Sequence, residues 1–232
     1  MGVVMPHLSP AALDIFRFPW YDRSVMGKIT DIKIQKRAKS RVNVYVDGEF
    51  AVALEAVTAK AGGLEVGAEV SRGRLEELAA ESEAESALRR AFAYVGRRMR
   101  TEAEVRRYLA DKGYSARITD DVTEKLKSYG YIDDGEFVRS YVESKSGSRG
   151  KLRLRRDLEI LGADGKTVEE VLGELGDQRE AAARAAEKYL RSHEYDYGKL
   201  FMYLRSRGFE REDIRAAIRS VGAGEEDDEG SV

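Results

Sequence analysis

The chain has no cysteine, which excludes a disulfide framework and any thiolate metal site. Histidine occurs only as the isolated His7 and His193, which cannot form a metal cluster by themselves. Proline is scarce, and tryptophan occurs once, at Trp20. No uninterrupted apolar run approaches the length of a membrane span, and the start lacks a basic stretch followed by an apolar one. Neither a membrane helix nor a secretory leader is expected, and the expected compartment is the cytoplasm. What is present, over 232 residues, is an ordinary apolar content of 42% and a high charged content of 35%. That profile suits a soluble helical protein, and an internal repeat argues for several small cores rather than one large one.

The dominant pattern is a repeat. The skeleton Leu-x-x-x-Gly occurs at Leu109–Gly113, Leu158–Gly162 and Leu204–Gly208. In each copy the Leu closes a helix that the Gly ends, because glycine enters the left-handed region without a Cβ penalty. A helix follows each copy, marked by Ile118, Val122 and Leu126, by Val168, Val171, Leu172 and Leu175, and by Ile214, Ala217, Ile218 and Val221. Another precedes it, marked by Leu88, Ala91, Phe92 and Val95, by Phe137, Val138, Tyr141 and Val142, and by Ala182, Ala185, Ala186, Tyr189 and Leu190. Spacings of three and four give each helix one apolar face. The expected fold is mainly α, with three tandem three-helix repeats in an elongated array preceded by a small β-rich module.

That module begins after Met26, where alternation replaces helical spacing: Ile32 and Ile34, then Val42, Val44 and Val46, then Phe50, Val52 and Leu54. Asp47-Gly48 signals a hairpin. A two-residue loop would leave Phe50 with Tyr45 and put Val44 on the face of Ala51. A three-residue loop, Val46–Gly48, pairs Val44 with Phe50 and Val42 with Val52, and is the expected form. The plan is an extension, disordered or loosely packed, over 1–26, the β module over 27–72, and a charged helix with the first repeat over 73–131. The second repeat then covers 132–176, the third 177–222, and an acidic disordered tail 223–232.

Motifs that suggest chemistry have better structural explanations. Thr101 with Glu104 reads as a capping box. Asp133-Asp134 could hold Mg²⁺, but no third ligand stands at a useful spacing, and a carboxylate there caps the helix starting near Gly135. Gly165-Lys166-Thr167 resembles the end of a phosphate-binding loop, yet position 160 is Ile where that loop needs Gly, and a helix precedes it. Thr167 is expected as a helix N-cap. His193 is expected at a helix C-terminal end. No nucleophile–base pair is evident, so an enzyme is not expected, and no catalytic, metal or cofactor residues are assigned.

Charge is uneven beneath a net of −2. Basic residues crowd the repeats, and the candidate partner-binding set is Arg97, Arg98, Arg100, Arg107, Arg149, Lys151, Arg153, Arg156, Arg205 and Arg207. Acidic residues gather at Glu76–Glu85 and Glu225–Glu229. A near-neutral total thus conceals a basic face; the alternative is that these cations only solvate helix exteriors.

Residues 97–221 resemble the RecX family, bacterial regulators of the RecA recombinase. The likeness rests on Arg98-Met99-Arg100-Thr101-Glu102-Ala103-Glu104-Val105-Arg106-Arg107-Tyr108-Leu109, on Gly130-Tyr131-Ile132-Asp133-Asp134 with Phe137 and Tyr141 behind it, on Leu158–Gly162, and on Tyr203-Leu204-Arg205-Ser206-Arg207-Gly208-Phe209 followed by Ile214. Lys28–Val70 resembles the amino-terminal extension of longer members. Arg149-Gly150-Lys151 departs from the Gly-Pro frequent in the family. The resemblance implies a monomer without catalytic chemistry that lies along the groove of the RecA–DNA filament. There it would limit filament growth, ATP hydrolysis and strand exchange, with single- or double-stranded DNA as an auxiliary partner through phosphates. The competing class is a helix-turn-helix transcriptional regulator, since Thr101–Gly113 and Arg117–Gly130 have that look.

Overall fold

A computed structural model describes residues 23–36 and 38–222. The expected extension up to residue 22 and the acidic tail from 223 lie outside the described residues. The chain is mainly α, with ten helices among the described residues and a small antiparallel sheet ahead of most of them, the fold class expected from its periodicities. Tertiary contacts divide it into two units, one holding the residues up to Arg98 and Val105–Tyr131, the other Met99–Glu104 and the residues from Ile132 onward.

In the first unit, β1 (Met26–Ile34), β2 (Arg41–Val46), β3 (Glu49–Glu55) and β4 (Glu69–Ser71) form a sheet ordered β3-β2-β1-β4. Alternation carries Ile29, Val42, Val44, Val52, Leu54 and Val70 into one core with Leu78. The hairpin corrects the expected loop. Asp47 (φ 50°) and Gly48 (φ 86°) are both left-handed and make a two-residue turn, with Val46 opposite Glu49 and Tyr45 opposite Phe50. A register shift between Val44 and Tyr45 then leaves Ala51 as an extra residue, so that Val44 pairs with Val52 and Val42 with Leu54. The twist-matched tight turn is kept, and a bulge rather than a longer loop returns the valines to the core.

Helix α1 (Ala56–Ala61) leads through β4 to α2 (Arg72–Val95), 24 residues long and N-capped by Ser71, whose hydroxyl accepts the Arg74 N–H. The charged stretch from Arg72 and the first helix of repeat one are therefore one helix. Polar bonds fasten it to the end of β3 and to α1: the Glu55 amide donates to Ser82 (2.6 Å), the Thr58 hydroxyl to Glu85 (2.7 Å), and Arg89 to the buried Glu55 carboxylate (2.8 Å). Helices α3 (Glu102–Asp111) and α4 (Ala116–Ser128) follow, with Val105, Leu109, Ile118, Val122 and Leu126 buried.

The second unit contains α5 (Asp134–Lys145), α6 (Lys151–Leu161) and α7 (Gly165–Glu174), cored by Phe137, Val138, Leu154, Leu158, Val168 and Leu172. It also contains α8 (Arg179–Leu190), α9 (Tyr197–Ser206) and α10 (Arg211–Gly222), cored by Ala182, Ala186, Leu200, Leu204, Phe209, Ile214 and Ile218.

The repeat skeleton takes the same backbone form each time. Gly113, Gly162 and Gly208 have φ of 85°, 78° and 84°. The next N–H, of Tyr114, Ala163 or Phe209, returns to the carbonyl of Leu109, Leu158 or Leu204 at 3.2, 3.0 and 3.3 Å. Only a residue without Cβ takes this left-handed position cheaply.

The capping box is complete, with the Thr101 N–H donating to Glu104 (3.3 Å) and the Glu104 N–H to the Thr101 hydroxyl oxygen (3.1 Å). That hydroxyl also donates to the Leu161 carbonyl (2.6 Å), tying the start of α3 to the end of α6. Asp133 caps α5 through the Glu136 N–H, and Asp134 accepts the Glu102 N–H, each at 2.8 Å. At α7 the expected cap shifts: Asp164 is the N-cap and accepts both the N–H (2.9 Å) and the hydroxyl (3.0 Å) of Thr167, which lies in the first turn. A carboxylate at this end meets free N–H groups and the positive end of the helix dipole, where it outcompetes a hydroxyl.

Candidate functional site

Two turns cross within the second unit. The α5–α6 turn and the α9–α10 turn approach until the Gly150 N–H donates to the Arg207 carbonyl (2.9 Å) and the Leu152 N–H to the Gly208 carbonyl (3.1 Å). A Cβ at Gly150 would lie 2.1 Å from the Gly208 oxygen, and one at Gly208 would lie 2.3 Å from the Arg153 nitrogen. Both positions therefore require glycine, and Gly208 does so doubly because of its positive φ.

Gln178, buried just ahead of α8, clips the same turn. Its Oε1 accepts the Lys151 N–H (2.8 Å), and its Nε2 donates to the carbonyls of Ser146 and Arg149 (both 3.4 Å). A proline at position 151 would have no N–H to satisfy; lysine brings one, and Gln178 supplies the acceptor.

This crossing gathers cations from two repeats. Arg149, Lys151 and Arg153 lie on the α6 side, Arg205 and Arg207 on the α9 side, and Arg156 lies one turn further along α6. They are not equally available. Asp157 accepts from Arg149 (2.5 Å) and from Arg153 (2.9 Å), with the Tyr141 hydroxyl at 3.4 Å. Burial, followed by the Asp157 charge, raises the Tyr141 phenol above its ordinary value, so it stays protonated and can donate. Arg155 is held by both oxygens of Glu169, which raises its own value further. Lys151, Arg156 and Arg205 make no ion pair among the described residues.

Arg207 lies over the Tyr203 ring (5.2 Å) and donates to its hydroxyl (3.2 Å). Tyr203 in turn packs on Tyr189 (4.6 Å), and Tyr189 stacks on His193 (4.1 Å, 6°). His193 sits just past the end of α8, with Nδ1 2.9 Å from the Tyr189 carbonyl. The sequence marks Tyr189 only as part of an apolar face and Tyr203 only as part of a resemblance, although the spacing of four that joins Tyr189 to His193 and Tyr203 to Arg207 is visible there.

The remaining candidates separate by environment. Arg100 is largely buried against Glu104 (3.1 Å) and serves the capping box of its own unit. In the first unit, Arg97 and Arg98 follow the end of α2 at Gly96, and Arg107 is exposed on α3. Tyr94 and Tyr108 stack there at 4.2 Å, and Phe92 packs edge-on to Tyr131 at 5.1 Å. No described helix is long and apolar enough to cross a membrane.

Comparison with known proteins agrees with this architecture. The family model described as the RecX regulatory protein N-terminal domain matches residues 27–71, and that of the first three-helix domain of RecX matches residues 87–126. The regulatory protein RecX of Clostridium beijerinckii is 35% identical over 217 residues, covering 88% of this chain and all of that protein. That of Clostridium tetani is 30% identical over 207 residues, covering 85% and 96%. A crystal structure of regulatory protein RecX shares the fold at a TM-score of 0.57, with 24% identity over 82% of this chain and 97% of that one. The chain belongs to the RecX family of regulatory proteins.

Proposed function

We propose that the chain is a non-enzymatic regulator that binds the RecA–DNA filament through the basic surface of its helical repeats and inhibits filament extension, ATP hydrolysis and strand exchange. Membership of a family of regulatory proteins supports the class of function. The observation that supports the surface assignment is the Gly150–Gly208 crossing, where the backbone from Gly150 to Arg153 of one repeat lies against that of Arg207 and Gly208 of the next. Cations held side by side on fixed backbone can meet an acidic surface together, so contacts that are individually modest gain from effective concentration. DNA phosphates are auxiliary partners of the same cations.

The test is ATP turnover by RecA filaments on single-stranded DNA as the purified chain is added. Turnover should fall with the wild-type chain, and charge reversal at Arg98, Arg153 and Arg207 should weaken the effect while helix content is unchanged. Turnover indifferent to the wild-type chain would remove the proposal. Full inhibition by the triple variant would remove these residues from the surface.

A further inference from the structure

The core of the β module is open on one side. Val46, Val52, Val70 and Leu75 pack in that core, yet together with Phe50, itself 36% exposed, they line a groove of about 670 Å³ that opens to solvent. Its ionisable groups are Glu49, Arg72 and Glu76, and the last two pair with each other at 2.9 Å. A small-molecule site fixes its ligand with several convergent polar groups. This groove instead offers apolar walls and one carboxylate, that of Glu49, at its exposed edge.

The described chain begins beside this groove. Ahead of β1, the Val25 carbonyl accepts the Arg72 N–H (3.1 Å) and the Arg23 carbonyl accepts the Gly73 N–H (3.0 Å), so pairing runs on to the start of α2. Arg23 also meets Glu76 at 3.1 Å, and Val25 and Glu76 both line the groove. Immediately upstream the sequence reads Ile15-Phe16-Arg17-Phe18-Pro19-Trp20-Tyr21-Asp22, with four aromatic side chains between Phe16 and Tyr21. Arg17 is the one charge from Ile15 to Tyr21. We infer that Phe16–Tyr21 docks in this groove within the same chain and closes the core of the β module, with Arg17 meeting Glu49. Phe16 is joined to Arg23 by a tether of at most about 25 Å, which keeps the segment at high effective concentration beside the groove. Aromatic rings bring large apolar area, and a module of about 50 residues is near the size at which a lone core is marginal, so the gain is stability. The inference stands apart from the RecA reading.

Trp20 is the chain's single tryptophan, so its fluorescence in the full chain reports on the segment alone. Emission should be shifted to the blue of that in urea, and acrylamide should quench it severalfold less than in the urea-unfolded chain. Ala51→Glu puts a charge into the groove and Phe50→Ser removes an apolar wall; each should return quenching most of the way to the unfolded level, with helix content unchanged. Val57→Glu adds the same charge at a position on α1 outside the groove, 65% exposed, and should leave Trp20 shielded. If Ala51→Glu loses helix content, Phe50→Ser decides the matter. A native Trp20 quenched as freely as in urea would overturn the inference, and so would shielding that neither groove variant reduces or that Val57→Glu removes equally. Shielding that fades on dilution would assign the groove to the segment of a second copy and overturn docking within one chain.

Discussion

Gly150 and Gly208 touch backbone to backbone, the N–H preceding α6 reaching the carbonyl just before the left-handed turn that ends α9. Through this contact, residues 58 positions apart in the sequence fix how the second repeat meets the third. Helix periodicity alone says nothing of it.

Gly150→Ala and Gly208→Ala should each destabilise the second unit by about 2 kcal/mol or more, because the new Cβ meets backbone that cannot move aside. Gly173→Ala, inside α7 with open space around it, should instead stabilise by about 0.5–1 kcal/mol. Urea unfolding of the three variants provides the comparison.

Gln178→Ala removes the acceptor of the half-buried Lys151 N–H and should cost about 1 kcal/mol or somewhat more. Lys151→Pro deletes that donor, and Gly150, at φ −77° and ψ 163°, already has the extended conformation that a following proline requires. Proline should therefore cost little alone and recover part of the Gln178→Ala loss. A double-mutant cycle measured by denaturation checks the coupling, and strictly additive losses would contradict it.

Thr101→Ala breaks the capping box and also strands the Leu161 carbonyl, so its cost should be about 1–2 kcal/mol, above that of losing a cap alone. Thr101→Ser should retain most of the stability, since it keeps the hydroxyl. Thermal melts of the two variants separate the contributions.

Two N-cap carboxylates contribute to the acid sensitivity of the fold. The Thr167 N–H and hydroxyl hold Asp164, and the Lys199 N–H holds Asp196, below the ordinary Asp value of 3.8. A lowered folded value means that the contribution is fully present above the unfolded value and is lost as pH falls through the folded one. Acid unfolding monitored below pH 4 should begin at higher pH in Asp164→Asn and Asp196→Asn than in the wild type. An unshifted acid transition would show that these caps do not contribute to it.

Much of the fold was legible because short-range chemistry fixes it. The three Leu-x-x-x-Gly skeletons forecast three left-handed helix ends, and the Thr101–Glu104 box also stands as expected. Alternation holds for Val42, Val44, Val52 and Leu54, whereas Ile34 and Phe50 are exposed and Ile29 is the buried isoleucine of β1. The hairpin differs because a bulge at Ala51 separates loop length from facing, two properties that alternation alone ties together. At α7 the sequence marks Thr167 as the cap, and only the backbone path shows that Asp164 stands at the helix end.

The candidate cations illustrate the same boundary. Their abundance in the repeats is a property of the sequence, but Arg100, Arg149 and Arg153 engage carboxylates while Lys151, Arg156 and Arg205 make no ion pair among the described residues. The sequence by itself determined the helices, their glycine-closed ends and their apolar faces, since these depend on neighbours within a few positions. Only the tertiary structure decided which repeats share a backbone crossing and which arginines face outward uncompensated. Those outcomes depend on chain segments distant in sequence meeting in space, where a gap the size of one methyl group selects glycine and a nearby carboxylate sets the charge left for a partner.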